Sequence, residues 1–220
     1  MNTKMTSALL GSLILVLAPA AASAAQHAHL TDKELLAKLR EAAPPNVLAG
    51  ATVLLRVLRP SDASAWHAGE DEEQRRWFEF PGPAPYATVV AAIDAWRASW
   101  RSGGAVRHWG IWTDDGATLA GGVEVRDRGD QRANISYVVF PHARRRGLAA
   151  AAVVLAAEWA FEHLPVDAVV AVIDPRNQAS LGVARRAGFV ADGVAEAWEY
   201  SETGPMLRFV LTRPERSSYT

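Results

Sequence analysis

Cysteine is absent from the chain, which excludes disulfides, thiolate metal ligands and a cysteine nucleophile together and leaves the compartment to be read from other residues. No Gly-Lys-Ser or Gly-Lys-Thr follows a strand-like run and no Gly-x-Gly-x-x-Gly opens a helix, so the P-loop and the dinucleotide fold are excluded as well. Charge of neither sign prevails: 23 Lys and Arg stand against 24 Asp and Glu, interspersed, for a net charge of −1. There is no overall field to recruit nucleic acid or an anionic membrane, and a polyanion has to be held locally. The apolar run over residues 8–17 is too short for a stable membrane span. Methionine is missing between Met5 and Met206, so a later translation start would need a Val or Leu codon.

What is present is apolar to 50% over 220 residues, enough for one good core, and a single domain of roughly 165 residues plus an extension is the simplest partition. Residues 1–24 have the pattern of a secretory leader: a positive start at Lys4, the apolar run, and Ala22-Ser23-Ala24 as a small-x-small cleavage site. Residues 25–50 read as a short amphipathic helix over 31–40, capped by Thr31 or Asp32, and a linker through Ala43-Pro44-Pro45-Asn46. The domain spans 51–214 and a tail 215–220. Cleavage after Ala24 would expose Ala25-Gln26-His27, an amine with histidine third that suits square-planar Cu(II); the alternative is a polar, flexible start, and no metal site is expected in the domain.

Periodicity and turn residues give the domain's elements. A strand over 53–60 leads into a helix beginning at Ser61-Asp62. A helix over 86–100 carries Val89, Ile93, Trp96 and Trp100 at helical spacing, with the tryptophans expected in the core. Strands over 106–113 and 119–126 are joined by the hairpin signal Asp114-Asp115-Gly116. A strand over 132–140, a helix over 147–163, a strand over 168–173, a helix over 177–187 and closing strands over 190–195 and 206–211 complete the order.

The most informative junction lies where the strand over 132–140 passes through Pro141-His142-Ala143 into Arg144-Arg145-Arg146-Gly147-Leu148-Ala149. Three guanidinium groups, a glycine and an uncapped helix start converge there, and backbone N–H groups with a positive helix end suit a diphosphate. Taken singly, the arginines also fit a solvated charge cluster. Downstream, Asn177-Gln178-Ala179-Ser180 is followed by Gly188-Phe189, which helix grammar alone accounts for: Asn177 as N-cap, Arg185 and Arg186 against the C-terminal dipole, Gly188 left-handed and Phe189 returning to the core.

Arg144-x-x-Gly147-x-Ala149 resembles the (Gln/Arg)-x-x-Gly-x-(Gly/Ala) signature of the GNAT superfamily of N-acetyltransferases, and Asn177-x-x-Ser180 with Gly188-Phe189 resembles a second segment of that family at the family's distance. The opening strand, Val53-Leu54-Leu55-Arg56 with Asp62-Ala63 after it, resembles the RimJ/RimL-like group. The resemblance covers about residues 51–214. It implies an α/β (α+β) fold, a mixed twisted sheet of about seven strands with helices on both faces and the ligand entering where two neighbouring strands splay apart.

It also implies acetyl-CoA as co-substrate and a primary amine as acceptor, on a small molecule or a protein N-terminus, and it admits a homodimer. By resemblance Arg144, Arg145, Arg146, Gly147, Leu148 and Ala149 hold the diphosphate, the backbone of Val138 and Val139 pairs with the pantetheine arm, and Asn177 and Ser180 line the cofactor site. Three departures matter. The family's tyrosine that protonates the thiolate falls on Ala184, which leaves Ser180 as nearest replacement; its glutamate early in the central strand falls on Asn134; its second motif glycine falls on Arg145. Base candidates are Glu124, whose side of the sheet is open, and Glu79, in an aromatic, proline-bounded loop over 77–83 suited to an amine. The alternatives are a non-catalytic acyl-CoA-binding or sensing domain and an exported binding domain of the same fold. Acetyl-CoA is intracellular, so the compartment is the cytoplasm if the start is mis-called and export through the leader otherwise.

Overall fold

The computed structural model describes residues 47–113, 116–196 and 204–214. The leader, its cleavage site, the helix over 31–40, part of the hairpin turn and the tail lie outside the described residues. The first half runs β1 (Val47–Ala49), β2 (Val53–Arg56), a 3₁₀ turn (Pro60–Asp62), α1 (Ala63–Gly69), α2 (Glu72–Phe78), α3 (Tyr86–Ser102), β3 (Val106–Thr113) and β4 (Leu119–Asp127). The second half runs β5 (Arg132–Val139), a 3₁₀ turn (Pro141–Ala143), α4 (Leu148–His163), β6 (Ala168–Ile173), α5 (Gln178–Arg186), β7 (Val190–Val194) and β8 (Leu207–Thr212). Among the described residues no helix is long and apolar enough to cross a membrane.

The strands make one sheet in the order β1-β2-β3-β4-β5-β6-β8-β7, antiparallel except between β5 and β6. Strand alternation sorts its residues between two faces. Leu55, Trp109, Ile111, Val123, Val125 and Ile135 face α4, where Ala152, Val153, Ala156 and Ala160 let the helix lie close. Each such aliphatic side chain, fully removed from water, stabilises the fold by roughly 1.5–3 kcal/mol. Leu54, Leu58, Trp112 and Phe140 face the other way, against Trp66 of α1 and Val89 and Ile93 of α3. α3 ends where Gly103 turns left-handed at φ 68°, its N–H returning to Ser99 O.

The parallel pairing of β5 with β6 is short. It runs from Arg132 opposite Ala168 to Asn134 opposite Val170 and then stops, while β6 stays paired with β8 as far as Ile173. Past Asn134 the two strands diverge, and the second half of β5 is paired with a strand on one side only, β4.

The order of elements agrees with the sequence reading, and two pieces are additional. β1 extends the sheet upstream of the expected boundary at 51; a three-residue edge strand behind Pro44-Pro45 has no pattern of its own. α2 takes Trp77 and Phe78 out of the expected loop. Asp71 nucleates it, its side chain accepting from Gln74 N at 2.9 Å, with Glu72 and Glu73 in the first turn.

Candidate active site

Where β5 leaves β6, a cleft of about 850 Å³ opens. Its floor is β5 from Ile135 to Val139, and its walls are the start of α4, the first turns of α5, and Glu73, Gln74, Trp77 and Phe78 of α2. Counting alternately back from Phe140, whose N–H bonds Ala120 O at 2.8 Å, the main chain of Val138 faces β4 while that of Tyr137 and Val139 faces the cleft. The expected backbone pairing of Val138 with a ligand is thus corrected: its groups belong to the ladder with β4, opposite Gly122.

α4 begins without a side-chain cap, because Gly147 is its N-cap at φ 80°. The N–H groups of Leu148, Ala149 and Ala150 have no acceptor within the helix, and these residues line the cleft. A side chain at Gly147 would meet nothing within 4 Å, so the left-handed backbone is what asks for glycine. Arg145 adopts the same region at φ 64°, at a cost of about 1 kcal/mol. The loop therefore adopts at Arg145 the left-handed bend that a glycine would take readily. The helix start, the glycine and the exposed Arg145 fit the diphosphate of an acyl-CoA. Arg146 is exposed beside them and stands outside the cleft lining.

Arg144 does something else. Its guanidinium meets both oxygens of Asp71 at 2.7 and 2.9 Å and Glu73 at 2.8 Å, and its Nε donates to Val139 O at 3.0 Å. Arg144 holds the carboxyl of Asp71 below its ordinary range, and its own pKa is raised by the same contact. The expectation of a free phosphate-binding arginine is corrected here: two carboxylates balance its charge, and it straps α2 over the cleft.

Asn177 caps α5, its Oδ1 accepting from Ser180 N at 3.0 Å. Gly188 turns left-handed at φ 87° and Phe189 is buried. Ala184 is also buried, so its place on α5 does not reach the cleft. A tyrosine hydroxyl does reach this cleft, from the strand rather than from the helix. The Tyr137 hydroxyl lies 2.8 Å from Ser180 Oγ and donates to Ser180 O at 3.1 Å. Burial pushes its pKa up to about 12, partly offset by the Ser180 contact, so at neutral pH it is a proton donor. Ser180, the expected replacement for the missing tyrosine, is its hydrogen-bond partner.

On the opposite face of the sheet lies a second cavity of about 760 Å³. Its walls are Trp66, Phe78, Phe80 and Trp96 with the prolines of the 81–85 loop; its floor is His108, Gly122, Glu124, Ser136 and Val138. Glu70 and His67 anchor that loop, Glu70 accepting from Ala84 N at 3.3 Å and His67 Nε2 lying 3.0 Å from Ala84 O. Glu124, opposite His108 and Ser136 in the register, faces this cavity, which answers the question of its side; Arg126 pairs with it at 2.9 Å. His108 stacks on Trp96 at 3.6 Å, and burial holds it neutral, its pKa lowered to about 3. Trp96 is a cavity wall, contrary to expectation, while Trp100 packs on Trp109 and Trp159 in the core as expected.

Glu79 is a further correction. It is the left-handed C-cap of α2 at φ 56°, exposed and outside both cavities, because helix termination turns it away while Phe78 and Phe80 turn in. Asn134 also lies outside both linings.

A mixed sheet splayed at its parallel pair, with an uncapped helix start facing the gap, defines an acyl-CoA-binding fold. The family model described as an acetyltransferase (GNAT) domain matches residues 52–190. An uncharacterized N-acetyltransferase, YoaA of Bacillus subtilis (strain 168), is 25% identical over 162 residues, 72% of this chain and 91% of that protein. Among solved structures, the ribosomal L7/L12 alpha-N-protein acetyltransferase RimL in complex with coenzyme A superposes with a TM-score of 0.62 at 16% identity, covering 76% of this chain and 97% of that one. The microcin C7 self-immunity acetyltransferase MccE, in complex with acetyl-CoA and AMP, superposes at 0.64 with 16% identity, covering 78% and 98%. The chain belongs to the GNAT acetyltransferase family and is an acyltransferase that takes acetyl from acetyl-CoA.

Proposed function

We propose that the protein acetylates a primary amine, carried by a small molecule or a protein N-terminus, that is seated in the aromatic cavity. One observation carries this: the two cavities, on opposite faces of the sheet, share Gln74, Phe78, Ser136, Tyr137 and Val138. A donor in one and an amine in the other meet at β5. Bound acetyl-CoA supplies the activated acyl carbon and a thiolate leaving group. The start of α4, with Arg145, holds its diphosphate, and the cleft-facing N–H groups of Tyr137 and Val139 are the donors available to a carbonyl oxygen.

Glu124, on the floor of the cavity, takes the proton that the amine loses as its nitrogen attacks. The Tyr137 hydroxyl gives its proton to sulfur as the C–S bond breaks and is reprotonated from water; an acceptor that arrives as an ammonium first passes one proton through Glu124 to water, which leaves Glu124 free to take the second. Dependence on acetyl-CoA puts this activity in the cytoplasm, and mass analysis of the purified N-terminus tests that placement. The activity itself is tested by thiol release from acetyl-CoA over a panel of amines and peptides. Amine-dependent release, lost in Tyr137→Phe, is the expected result; release independent of any amine, or none, contradicts the reading.

A further inference from the structure

The walls of the aromatic cavity narrow the choice of acceptor. Its lining contains no Lys or Arg, and its carboxylates are Glu70 and Glu124. Glu70 is already engaged, by Ala84 N with both oxygens at 3.3 Å and by Arg75 at 3.3 Å. Glu124, at the end of the cavity that adjoins β5, is paired as well, with Arg126 at 2.9 Å, and a ligand's ammonium has to share or replace that partner. The Arg126 that pairs with it is exposed and not part of the wall. Facing this floor are the rings of Trp66, Trp96, Phe78 and Phe80, the last two stacked with centroids 5.8 Å apart at the mouth. His108 adds a polar edge without charge: its ring lies against Trp96, and its Nδ1 is buried without a partner.

We infer that the acceptor is a compact apolar monoamine of the arylalkylamine type, its ammonium at Glu124 and its body among the aromatic rings, with no carboxylate or phosphate of its own. The inference rests on the assignment of this cavity to the acceptor. A cationic amine gains from Glu124 and from the ring faces around it. An α-carboxylate or a phosphate would be taken out of water into a lining without a cation, next to a like charge, and nothing there offsets that desolvation. A longer peptide would bury amide groups against tryptophan, phenylalanine and proline, which offer them few partners.

The test compares phenethylamine, phenylalanine amide, phenylalanine and a tripeptide amide beginning with phenylalanine, which differ in the group beside one amine. Acceptor kcat/KM is measured with saturating acetyl-CoA, and binding by calorimetry on the protein saturated with CoA, a readout that needs no turnover. Phenethylamine is expected to exceed phenylalanine at least about tenfold in both, with phenylalanine amide nearer to phenethylamine, because charge sets the gap. In Glu124→Gln the binding gap should shrink to within about threefold. Phenylalanine equal to or better than phenethylamine, a tripeptide better than either, or no binding of phenethylamine overturns the inference. Phenethylamine that binds with the expected gap but is not acetylated supports the pocket assignment and sinks the catalytic reading instead, so the two fail separately.

Discussion

The cleft proposed for the donor is built largely from main-chain geometry within one stretch, from Val139 to Ala150, whereas the cavity proposed for the acceptor is assembled from side chains as far apart in sequence as Trp66 and Val138. On the donor side a left-handed glycine, an uncapped helix and a strand that loses its neighbour are enough, and few side-chain identities matter. On the acceptor side β3, β4 and β5 supply a floor that carries Glu124, and rings from three helices and the loop after α2 supply the walls. A half-site built from backbone suits a co-substrate whose recognised part is constant; a half-site built from side chains can be retuned to another acceptor without disturbing the fold. α2 belongs to both, since Gln74 and Phe78 line both cavities while Arg144 straps the helix to the donor loop.

The largest effect is expected at the seam between the halves. Tyr137→Phe should lower kcat by about a hundredfold or more while acetyl-CoA affinity stays within about threefold, as steady-state kinetics and calorimetry would record. With its pKa raised to about 12, the hydroxyl remains protonated as pH rises, so wild-type kcat should show no alkaline loss assignable to Tyr137 below about pH 11.

Reversing charge at Arg145 and Arg146 tests the donor half alone. The double variant Arg145→Glu, Arg146→Glu should weaken acetyl-CoA about tenfold and flatten the salt dependence of its Kd, with KM for the amine unchanged. Arg144→Gln should instead disturb both halves, because α2 loses its strap.

Gly122→Ala is the matching change on the other side. The added Cβ would lie 2.6 Å from the Trp66 ring and 2.9 Å from His108 Cε1, so a cavity wall has to move. The amine KM should rise severalfold to about tenfold, at a stability cost of about 1–3 kcal/mol, with Kd for acetyl-CoA intact. The smallest effect belongs to Ser180→Ala, which removes one partner of Tyr137 and should lower kcat only about threefold.

The contrast between the halves is also a contrast in what a sequence reveals. Gly147, the Asn177 cap, left-handed Gly188 and buried Phe189 follow from local helix grammar, and they were legible because each depends on neighbours a few residues away. Tyr137 was not. Alternation puts its side chain with those of Ile135 and Val139, but that this side opens on a cleft follows from where β5 and β6 stop pairing, which no local pattern records. Trp96 and Trp100 lie on one helical stripe, and only the bodies packed against α3 make one a cavity wall and the other core. Glu79 was misread for a local reason. The prolines after it suggested a loop, although Asp71 and Gln74 carry a cap signal that starts α2 and makes Glu79 its terminus.

The claim that the two cavities are donor and acceptor halves meeting at β5 is tested most directly by a crystal structure of the protein with CoA. Diphosphate oxygens are expected about 3 Å from the N–H groups of residues 147–149 and the sulfur beside the Tyr137 hydroxyl, with the aromatic cavity left open to an amine. A sulfur lodged among Trp66, Trp96 and Phe80, or a diphosphate held away from the start of α4, would contradict it.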